Sequence, residues 1–307
     1  MQNLHPSLFI EINNFNYIFL VGTFDENHNL KINYKLSVPL QGIEKNRIFD
    51  LEKAYNCLKD NIYKIEQNLS LTFKEVILIL ENFNPIFVNL SGFKNLNGSQ
   101  ILRENITYIL NILKSILIEE EKNKAILHMF NSQFTLDKKK IDNLPIGLFG
   151  DFYSHELSFT LISSNDLKNL KNIFDKCNLK IKKMLLKSFV KGAYLSNNNL
   201  DTETFFQVEI NPNTSKIFYF ENNSLKFEQN FNFGFDIIIK DITKITSLKN
   251  DTVNTILCNT QFEDKILDTS LVEKKLFKNE TYRKIKKKLI YEIAKARVEE
   301  VVDIMLF

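Results

Sequence analysis

The sequence predicts an α/β protein made of two βββα units, with a separate subdomain inserted in the first half. Three short apolar runs open the chain and precede an amphipathic helix, which forms the first βββα pattern. A second and weaker copy of this order begins near residue 205. Between the two copies, α/β alternation is interrupted and resumes after Ser164. These three observations together predict the fold class.

The individual elements are predicted from hydrophobic periodicity. In the first half we predict strands over about 8–12, 17–24, 30–38, 76–80, 126–136, 154–162 and 181–186, and helices over about 50–67, 105–120, 166–177 and 188–195. In the second half we predict strands near 205, 216 and 225, and helices over about 236–245, 251–258 and from 280 to the chain end. The polar stretch 197–202 has no periodicity and is the candidate linker.

Composition excludes several classes of protein. With 307 residues, 44% of them hydrophobic and 25% charged, the chain can bury the cores of several subdomains. A net charge of +3 gives no electrostatic signature of nucleic-acid binding. The three cysteines, Cys57, Cys177 and Cys258, are far apart in the sequence, so we expect neither a disulfide framework nor a zinc site. This cysteine usage suits a protein of the reducing cytoplasm. No apolar run approaches the roughly 18 residues of a membrane span, and no export signal is recognised.

Short motifs in the interrupted region indicate a known family. The motifs are Ile126–Phe130, Phe134–Asp137, Leu144–Gly150 and His155–Leu157. Their order and spacing resemble those of FtsA, the actin-like cell-division proteins of bacteria. Segments over 166–181 and 193–195 resemble the sequence that follows in that family. The resemblance extends over most of residues 8–258.

The resemblance implies an actin-like (ribonuclease H-like) fold with subdomains 1A, 1C, 2A and 2B, in which 1C is an inserted SHS2-type subdomain. The boundaries that we predict are 1–83 and 164–200 for 1A, 84–163 for 1C, 201–247 for the first part of 2A, and 248–307 for a 2B-like part. Family members continue through the rest of 2A and usually end in an amphipathic membrane helix. Because this chain ends at Phe307 within a predicted helix, we expect an incomplete second half, through either truncation or a reduced 2A.

The resemblance also locates two phosphate-binding hairpins, and in both of them the family's glycines are absent. The first family motif, Asp-Ile-Gly-Thr, is Glu11-Ile12-Asn13-Asn14 here, and side chains at 13 and 14 would fill the space that a phosphate needs against bare backbone. The second, Asp-Ile-Gly-Gly-Gly-Thr-Thr-Asp, is replaced by residues 209–216, where Pro212 removes an N–H donor. Asn13 and Asn213 tolerate positive φ, so we expect the turns to keep their shape.

The adenosine side of the family site is changed as well. A Gly-Gly pair has become Gly234-Phe235, and the Glu and Lys that hold the ribose are Asn254 and Leu257. We therefore predict no cofactor and a degenerate nucleotide site at Glu11, Asn13, Asn14, Glu209, Asn211, Asn213, Thr214 and Gly234. Two interpretations stay open for Glu11 and Glu209: ordinary polar residues at strand ends, or a residual site for ATP with magnesium.

The predicted last helix is the candidate partner site. It begins with Arg283, Lys284, Lys286, Lys287 and Lys288. Such a start suits either a membrane-binding helix or a core-packed helix with a solvated basic end, and the glutamates further along disfavour anionic lipid. In the family this part of 2B receives the C-terminal peptide of FtsZ. The resemblance therefore makes Arg297, Val298 and Val301 the candidate contacts, with a surface or intramolecular salt bridge of Arg297 as the alternative.

No catalytic or metal-binding pattern is recognised in the sequence. His128 and His155 lie on predicted apolar strands, and His5 and His28 lie in loops. Because no cysteine or carboxylate recurs at ligand spacing, we expect structural roles for the two strand histidines. Enzymatic activity is left open by the sequence, with a degenerate ATPase as the leading interpretation.

The resemblance implies a cell-division adaptor that links the FtsZ ring to the inner face of the membrane and recruits later divisome proteins through 1C. It also implies self-association into filaments, a cytoplasmic location at the division site, only peripheral or indirect membrane contact, and no nucleic acid. The rival hypothesis is a working actin-like ATPase whose ATP cycle controls polymerisation. A third, weaker one is a pilus-assembly adaptor of similar fold.

Overall fold

The computed structural model of the chain describes residues 5–26, 29–44, 46–81, 83–198, 203–260, 270–277 and 280–306. It divides the chain into two compact units. The first comprises residues 1–206 and 218–228, and the second comprises 207–217 and 229–307. His28, most of the predicted linker (199–202) and Phe307 lie outside the described residues.

The first unit is built on a five-stranded sheet. Its strands are β1 (Ser7–Ile12), β2 (Asn16–Phe24), β3 (Leu30–Pro39), β6 (Glu75–Leu80) and β11 (Lys180–Leu186), in the spatial order β11-β6-β1-β2-β3. A small hairpin is formed by β4 (Ile43–Glu44) and β5 (Arg47–Ile48). Strands β1, β6 and β11 are parallel to one another, whereas β1, β2 and β3 form an antiparallel meander. The predicted βββ start is therefore confirmed.

Two helices cover one face of this sheet. Helix α1 (Leu51–Leu69) is capped by Asp50, whose side chain accepts a hydrogen bond from the backbone of Lys53. Helix α3 (Ser164–Lys176) is capped in the same way by Ser163. Alternate strand residues face the helices, as the period of two requires. The shared core contains Ile10, Phe19, Leu58, Ile65, Leu78, Ile173 and Phe174.

The residues between β6 and α3 form a sheet of their own. It consists of β7 (Ile86–Asn95), β8 (Lys124–Leu136), β9 (Lys139–Ile141) and β10 (Phe152–Ser163), in the order β7-β10-β8-β9, with helix α2 (Arg103–Glu120) packed on one face. Gly92 lies where α2 comes closest, since a Cβ there would be 2.5 Å from Ile109. Strands β6 and β11, which flank this segment in sequence, pair directly with each other. The predicted strands 76–80 and 181–186 therefore lie side by side in one sheet, and the sheet formed by β7–β10 is separate from it.

Helix α4 (Lys187–Asn198) follows β11, and three further strands form a third sheet in the order β12-β13-β14. They are β12 (Phe205–Ile210), β13 (Ser215–Glu221) and β14 (Ser224–Phe231). Within the first unit, residues 218–228 dock through an aromatic cluster in which Phe218 and Phe220 are fully buried beside Phe130 and Phe189.

A buried lysine lies beside this cluster. Lys226 is only 6% exposed and donates to Glu156 Oε1 at 2.5 Å and to Ser132 Oγ. It also lies 3.3 Å from Glu221 Oε2. Two carboxylates and a hydroxyl compensate for the burial of this ammonium, and they tie the 218–228 hairpin to the inserted sheet.

In the second unit, the described residues that follow β14 are mainly helical. Its described residues form helices α5 (Asp236–Thr246), α6 (Asn250–Asn259) and α7 (Lys287–Leu306) and a 3-10 turn at Lys274–Leu276. Their core contains Ile239, Ile242, Val253, Ile256, Val272 and Ile290. In the part of the chain that the structure describes, no helix is long and apolar enough to cross a bilayer.

The start of the last helix was predicted wrongly. The helix begins at Lys287 and not near residue 280, so Arg283, Lys284 and Lys286 are not helical. The backbone N–H of Val272 donates to Ile285 O at 2.9 Å, and Lys287 N donates to Ser270 O at 2.8 Å. Burial of Ile285 against the core favours this extended pairing over the helix that the local composition suits.

Candidate functional site

Three charged side chains meet at the carboxyl ends of the parallel strands in the first unit. Glu11 is the penultimate residue of β1, Glu81 directly follows β6, and Lys187 directly follows β11. Parallel neighbours bring their carboxyl ends to one edge of the sheet, where open α/β sheets bind their ligands. The predicted residue Glu11 is therefore at the expected edge, together with two residues that the sequence analysis did not single out.

Lys187 bridges the two carboxylates. Its Nζ lies 2.7 Å from Glu11 Oε1 and 2.9 Å from Glu81 Oε2, and the three side chains are between 16% and 23% exposed. Burial lowers the pKa of Lys187, but hydrogen bonds and charges from Glu81 and Glu11 outweigh that effect and raise it above its usual value. The ammonium is therefore charged throughout the physiological pH range.

The first hairpin turn is closed by a side chain. Asn13 Oδ1 accepts hydrogen bonds from the backbone of Phe15 at 2.9 Å and of Asn16 at 2.8 Å, which is an Asx-type turn. Neither Asn13 nor Asn14 has positive φ. The turn keeps a tight shape through side-chain hydrogen bonds, so the asparagine occupies the space that a glycine would leave open.

The second hairpin belongs to the second unit and is closed by backbone contacts. Asn211 N donates to Thr214 O at 2.8 Å, and Asn213 does not have positive φ either. The start of α5 donates to this loop, from Phe235 N to Asn211 O and from Asp236 N to the carbonyl of Pro212. The amides of Phe235 and Asp236 at the start of α5 are thus already hydrogen-bonded within the protein and are not available to an anion.

Gly234 allows the start of α5 to lie close to the loop at Asn211 and Pro212. A Cβ at Gly234 would lie 1.9 Å from Asn211 O and 2.5 Å from Pro212 O, so only glycine allows the loop to approach so closely. Glu209 lies half-buried on β12. The structure thus brings Asn211, Thr214 and Gly234 together within the second unit, as it brings Glu11 and Asn13 together within the first.

The candidate partner residues lie on α7. Arg297 Nε is 2.5 Å from Asp241 Oδ2 on α5, and its Nη1 is 2.6 Å from Glu300 Oε2. Val298 is 47% exposed, whereas Val301 is only 8% exposed and belongs to the packed side. The intramolecular salt bridge considered for Arg297 is therefore present, and among the three residues Val298 is the one that offers apolar surface.

Two curated proteins with similar sequences bear the same name. The cell division protein FtsA of Buchnera aphidicola subsp. Acyrthosiphon pisum is 22% identical over 247 residues, which cover 80% of this chain and 59% of that protein. FtsA of Escherichia coli K12 is 19% identical over 206 residues, covering 67% of this chain and 49% of that protein. This chain is a divergent FtsA-like protein.

The solved structures support the fold of this FtsA-like chain. The PilM-PilN type IV pilus biogenesis complex contains a chain that matches with a TM-score of 0.51 at 10% identity, covering 98% of this chain and 76% of that one. At this identity the likeness concerns the fold alone, which is actin-like as the resemblance implied. No protein-family profile matches the sequence. The chain spans about three fifths of the length of the first FtsA relative.

The two strand histidines of the FtsA-like chain, His128 and His155, are held by hydrogen bonds and ring contacts inside the protein. His128 Nε2 accepts a hydrogen bond from Leu186 N at 3.0 Å, and its ring packs against Phe130 and Phe189. His155 Nε2 lies 3.0 Å from Asn131 Oδ1. Burial lowers the pKa of each to about 4. Within the described residues, no group of three or more His, Cys, Asp or Glu side chains could hold a metal ion.

From the two buried histidines, His128 and His155, we predict that the folded protein loses stability in acid. Both are neutral when folded, with pKa about 4, and have a pKa of about 6.5 when unfolded, so the unfolded state takes up protons first as pH falls. We expect the contribution of these histidines to the free energy of unfolding to be constant above pH 7 and to fall between about pH 6.5 and 4, by roughly 3 kcal/mol for each histidine. Urea unfolding across this range measures the slope, which His155→Gln should reduce. An equal slope in that variant would exclude His155 as a cause.

Proposed function

We propose that this FtsA-like chain is a cell-division adaptor that links the FtsZ ring to the inner face of the membrane and recruits later division proteins, without a working nucleotide site. The observation that supports this most is the Lys187 bridge between Glu11 and Glu81. A carboxylate at the end of β1 that is already paired with an internal cation is poorly placed to hold a magnesium ion for a nucleotide.

The first hairpin supports the same conclusion. Phosphate binding in a turn needs backbone N–H groups that are free to approach the ligand. Here the amides of Phe15 and Asn16 donate to Asn13 Oδ1, and Asn13 adds bulk at the turn. The rival function, an ATPase that switches polymerisation, needs these groups to be released before a phosphate could bind.

The alternative of a pilus-assembly adaptor is disfavoured. The pilus complex resembles this chain in fold alone, at 10% identity, whereas the similar curated sequences over two thirds or more of the chain are named FtsA. We therefore propose divisome partners, with the inserted subdomain contacting later division proteins and with self-association into filaments. The proposed location is cytoplasmic, at the division site and in peripheral contact with the membrane.

The nucleotide part of the proposal predicts very weak binding. We expect no association with magnesium and ATP tighter than about 1 mM, which corresponds to roughly −4 kcal/mol. Isothermal titration calorimetry on the full chain measures this directly. A dissociation constant in the micromolar range would favour the working ATPase.

The partner proposal places the FtsZ peptide on α7. Acidic residues next to an apolar anchor would suit the Arg297 guanidinium beside the exposed Val298. We expect Arg297→Glu to weaken binding of the cognate FtsZ tail by about 1–3 kcal/mol, the size of a lost charged hydrogen bond. Fluorescence anisotropy with a labelled tail peptide measures the affinity.

Two controls make this test specific. Lys295→Glu changes the same charge on an exposed position of the same helix and should have a smaller effect. Because Arg297 also pairs with Asp241 and Glu300, Arg297→Gln tests loss of the guanidinium without adding a negative charge, and circular dichroism reports folding. Unchanged affinity in both folded Arg297 variants would remove this residue from the peptide site.

A further inference from the structure

Residues 283–288 form a basic segment on the surface of the second unit. All of them except Ile285 are lysine or arginine, and the sequence from 281 to 291 contains no Asp or Glu. Ile285 is only 9% exposed and packs into the core of this unit. Because extended backbone alternates its side chains, Lys284 and Lys286 point away from that core, and both are exposed. One buried residue therefore holds the basic segment on the surface.

The backbone of the basic segment is fixed on two sides. The hydrogen bonds described above pair 285–287 with 270–272. Arg283 Nη1 donates to the carbonyls of Thr246 and Ser247, at 3.4 and 3.2 Å, where α5 ends. Because the charges are carried by ordered backbone, little chain entropy is lost when they meet a ligand.

Three carboxylates interact with the basic segment within the described part of the chain, fewer than its five cations. They are Glu273, Glu280 and Glu292. Glu292 lies 3.9 Å from Lys288, and Glu273 pairs at 2.7 Å with Lys275, a cation outside the segment. The next acidic residue along α7, Glu299, is 11 residues beyond Lys288, which is about 16 Å along the helix axis. The local charge is therefore positive.

Exposed apolar side chains lie next to these charges. Leu289 is 39% exposed and lines a cavity of about 400 Å³ together with Lys284 and Lys286. Thr246 lines the same cavity, and Ile245 directly before it is 58% exposed. Cations beside exposed aliphatic groups are typical of surfaces that rest on a bilayer, where the cations attract anionic headgroups and the apolar groups enter the interface.

We propose that the basic segment, together with Ile245 and Leu289, binds the surface of a membrane that contains anionic lipid. Lysine is a point charge on a flexible stem and suits a diffuse layer of lipid phosphates, whereas a single peptide carboxylate is best recognised by an arginine fork. Arg283 already donates to two backbone carbonyls. This inference rests on the proposed function, for which it supplies the contact with the membrane.

The test measures co-sedimentation of the full chain with lipid vesicles in the absence of FtsZ. The vesicles are phosphatidylcholine alone, or phosphatidylcholine with about 30% phosphatidylglycerol, which gives them a negative surface potential. We expect binding to the anionic vesicles, and binding at least about tenfold weaker to neutral vesicles or in about 1 M salt, where the Debye length is about 3 Å. Equal binding to both kinds of vesicle, or no binding to the anionic ones, would overturn the proposal.

Lys284→Gln combined with Lys286→Gln tests the basic segment itself. Each charge near an anionic surface contributes about fivefold in affinity, so this pair should weaken vesicle binding about 25-fold. The matched control is Lys138→Gln with Lys139→Gln, which removes the same two charges from exposed positions of the inserted subdomain. We expect the control to change binding less than about twofold, because distant exposed charges are screened by salt. Equal effects of the two pairs in folded proteins would overturn the proposal, and the vesicle comparison with the unaltered chain decides if a variant does not fold.

Tail-peptide binding, measured by fluorescence anisotropy without vesicles, separates this inference from the adaptor proposal. Vesicle binding without tail binding would contradict the adaptor function and leave the lipid site supported. Tail binding without vesicle binding would overturn the lipid site alone. If the Lys284 and Lys286 variant loses affinity for the tail and keeps its affinity for vesicles, the basic segment is a peptide site, which would also overturn the proposal.

Discussion

Lys187→Met is expected to lower the free energy of unfolding by about 3 kcal/mol at pH 7. Removing one partner of a largely buried ion pair leaves an uncompensated charge, which typically costs about 3–5 kcal/mol. Here two carboxylates lose their shared cation, although the 16–23% exposure of the three side chains allows some hydration. Urea unfolding followed by circular dichroism measures the loss.

An exposed ion pair in the same sheet, between Lys182 and Glu75, provides the comparison. Lys182→Met breaks the contact with Glu75, and surface ion pairs contribute only about 0–1 kcal/mol. We expect Lys182→Met to be nearly neutral. Equal effects of the two substitutions would contradict the special role of the Lys187 bridge.

Gly192→Ala is expected to destabilise the protein by about 2 kcal/mol, although alanine is the better helix former. A Cβ at Gly192 would lie 2.0 Å from two ring atoms of Phe220, which is fully buried. Overpacking of this kind costs about 1–3 kcal/mol or more, whereas replacing glycine within a helix gains about 1 kcal/mol. The clash is therefore expected to outweigh the gain in helix propensity, as urea unfolding will measure.

A double-mutant cycle tests the cause. Phe220→Leu shortens the side chain that the new methyl group would meet, at its own cost of about 1–2 kcal/mol. In combination, the two substitutions should cost clearly less than the sum of their separate effects, because the clash is relieved. Additive effects would show that Gly192 is needed for a reason other than contact with Phe220.

Sequence periodicity was sufficient to predict most elements of the fold. Helix α1 illustrates why, since its apolar residues recur at helical spacing and Asp50 supplies a local cap. The final helix shows where this fails. Residues 280–286 have a composition that suits a helix, but pairing of Ile285 with Val272 is a tertiary contact that local propensity does not contain.

The candidate site was only partly predictable. Glu11 and Asn13 follow from the strand-and-turn pattern, but Lys187 is 176 residues from Glu11 in sequence and 106 from Glu81. One signal could have indicated it: each of the three parallel strands has a charged residue within one position of its carboxyl end. The Asx-type closure by Asn13 was missed because asparagine supports a turn either by positive φ or by its side chain.

The central claim is that this FtsA-like chain acts as a division adaptor without nucleotide control. The most direct test is the affinity of the cognate FtsZ tail peptide for the full chain, measured by fluorescence anisotropy with and without 0.1 mM magnesium and ATP, a concentration about ten times below the tightest constant that we expect for ATP but enough to saturate a micromolar ATPase site. We predict measurable binding with the same dissociation constant, within about twofold, in both conditions, because a ligand that does not bind cannot shift a conformational equilibrium. Binding that requires ATP, or that tightens about tenfold with it, would contradict the account.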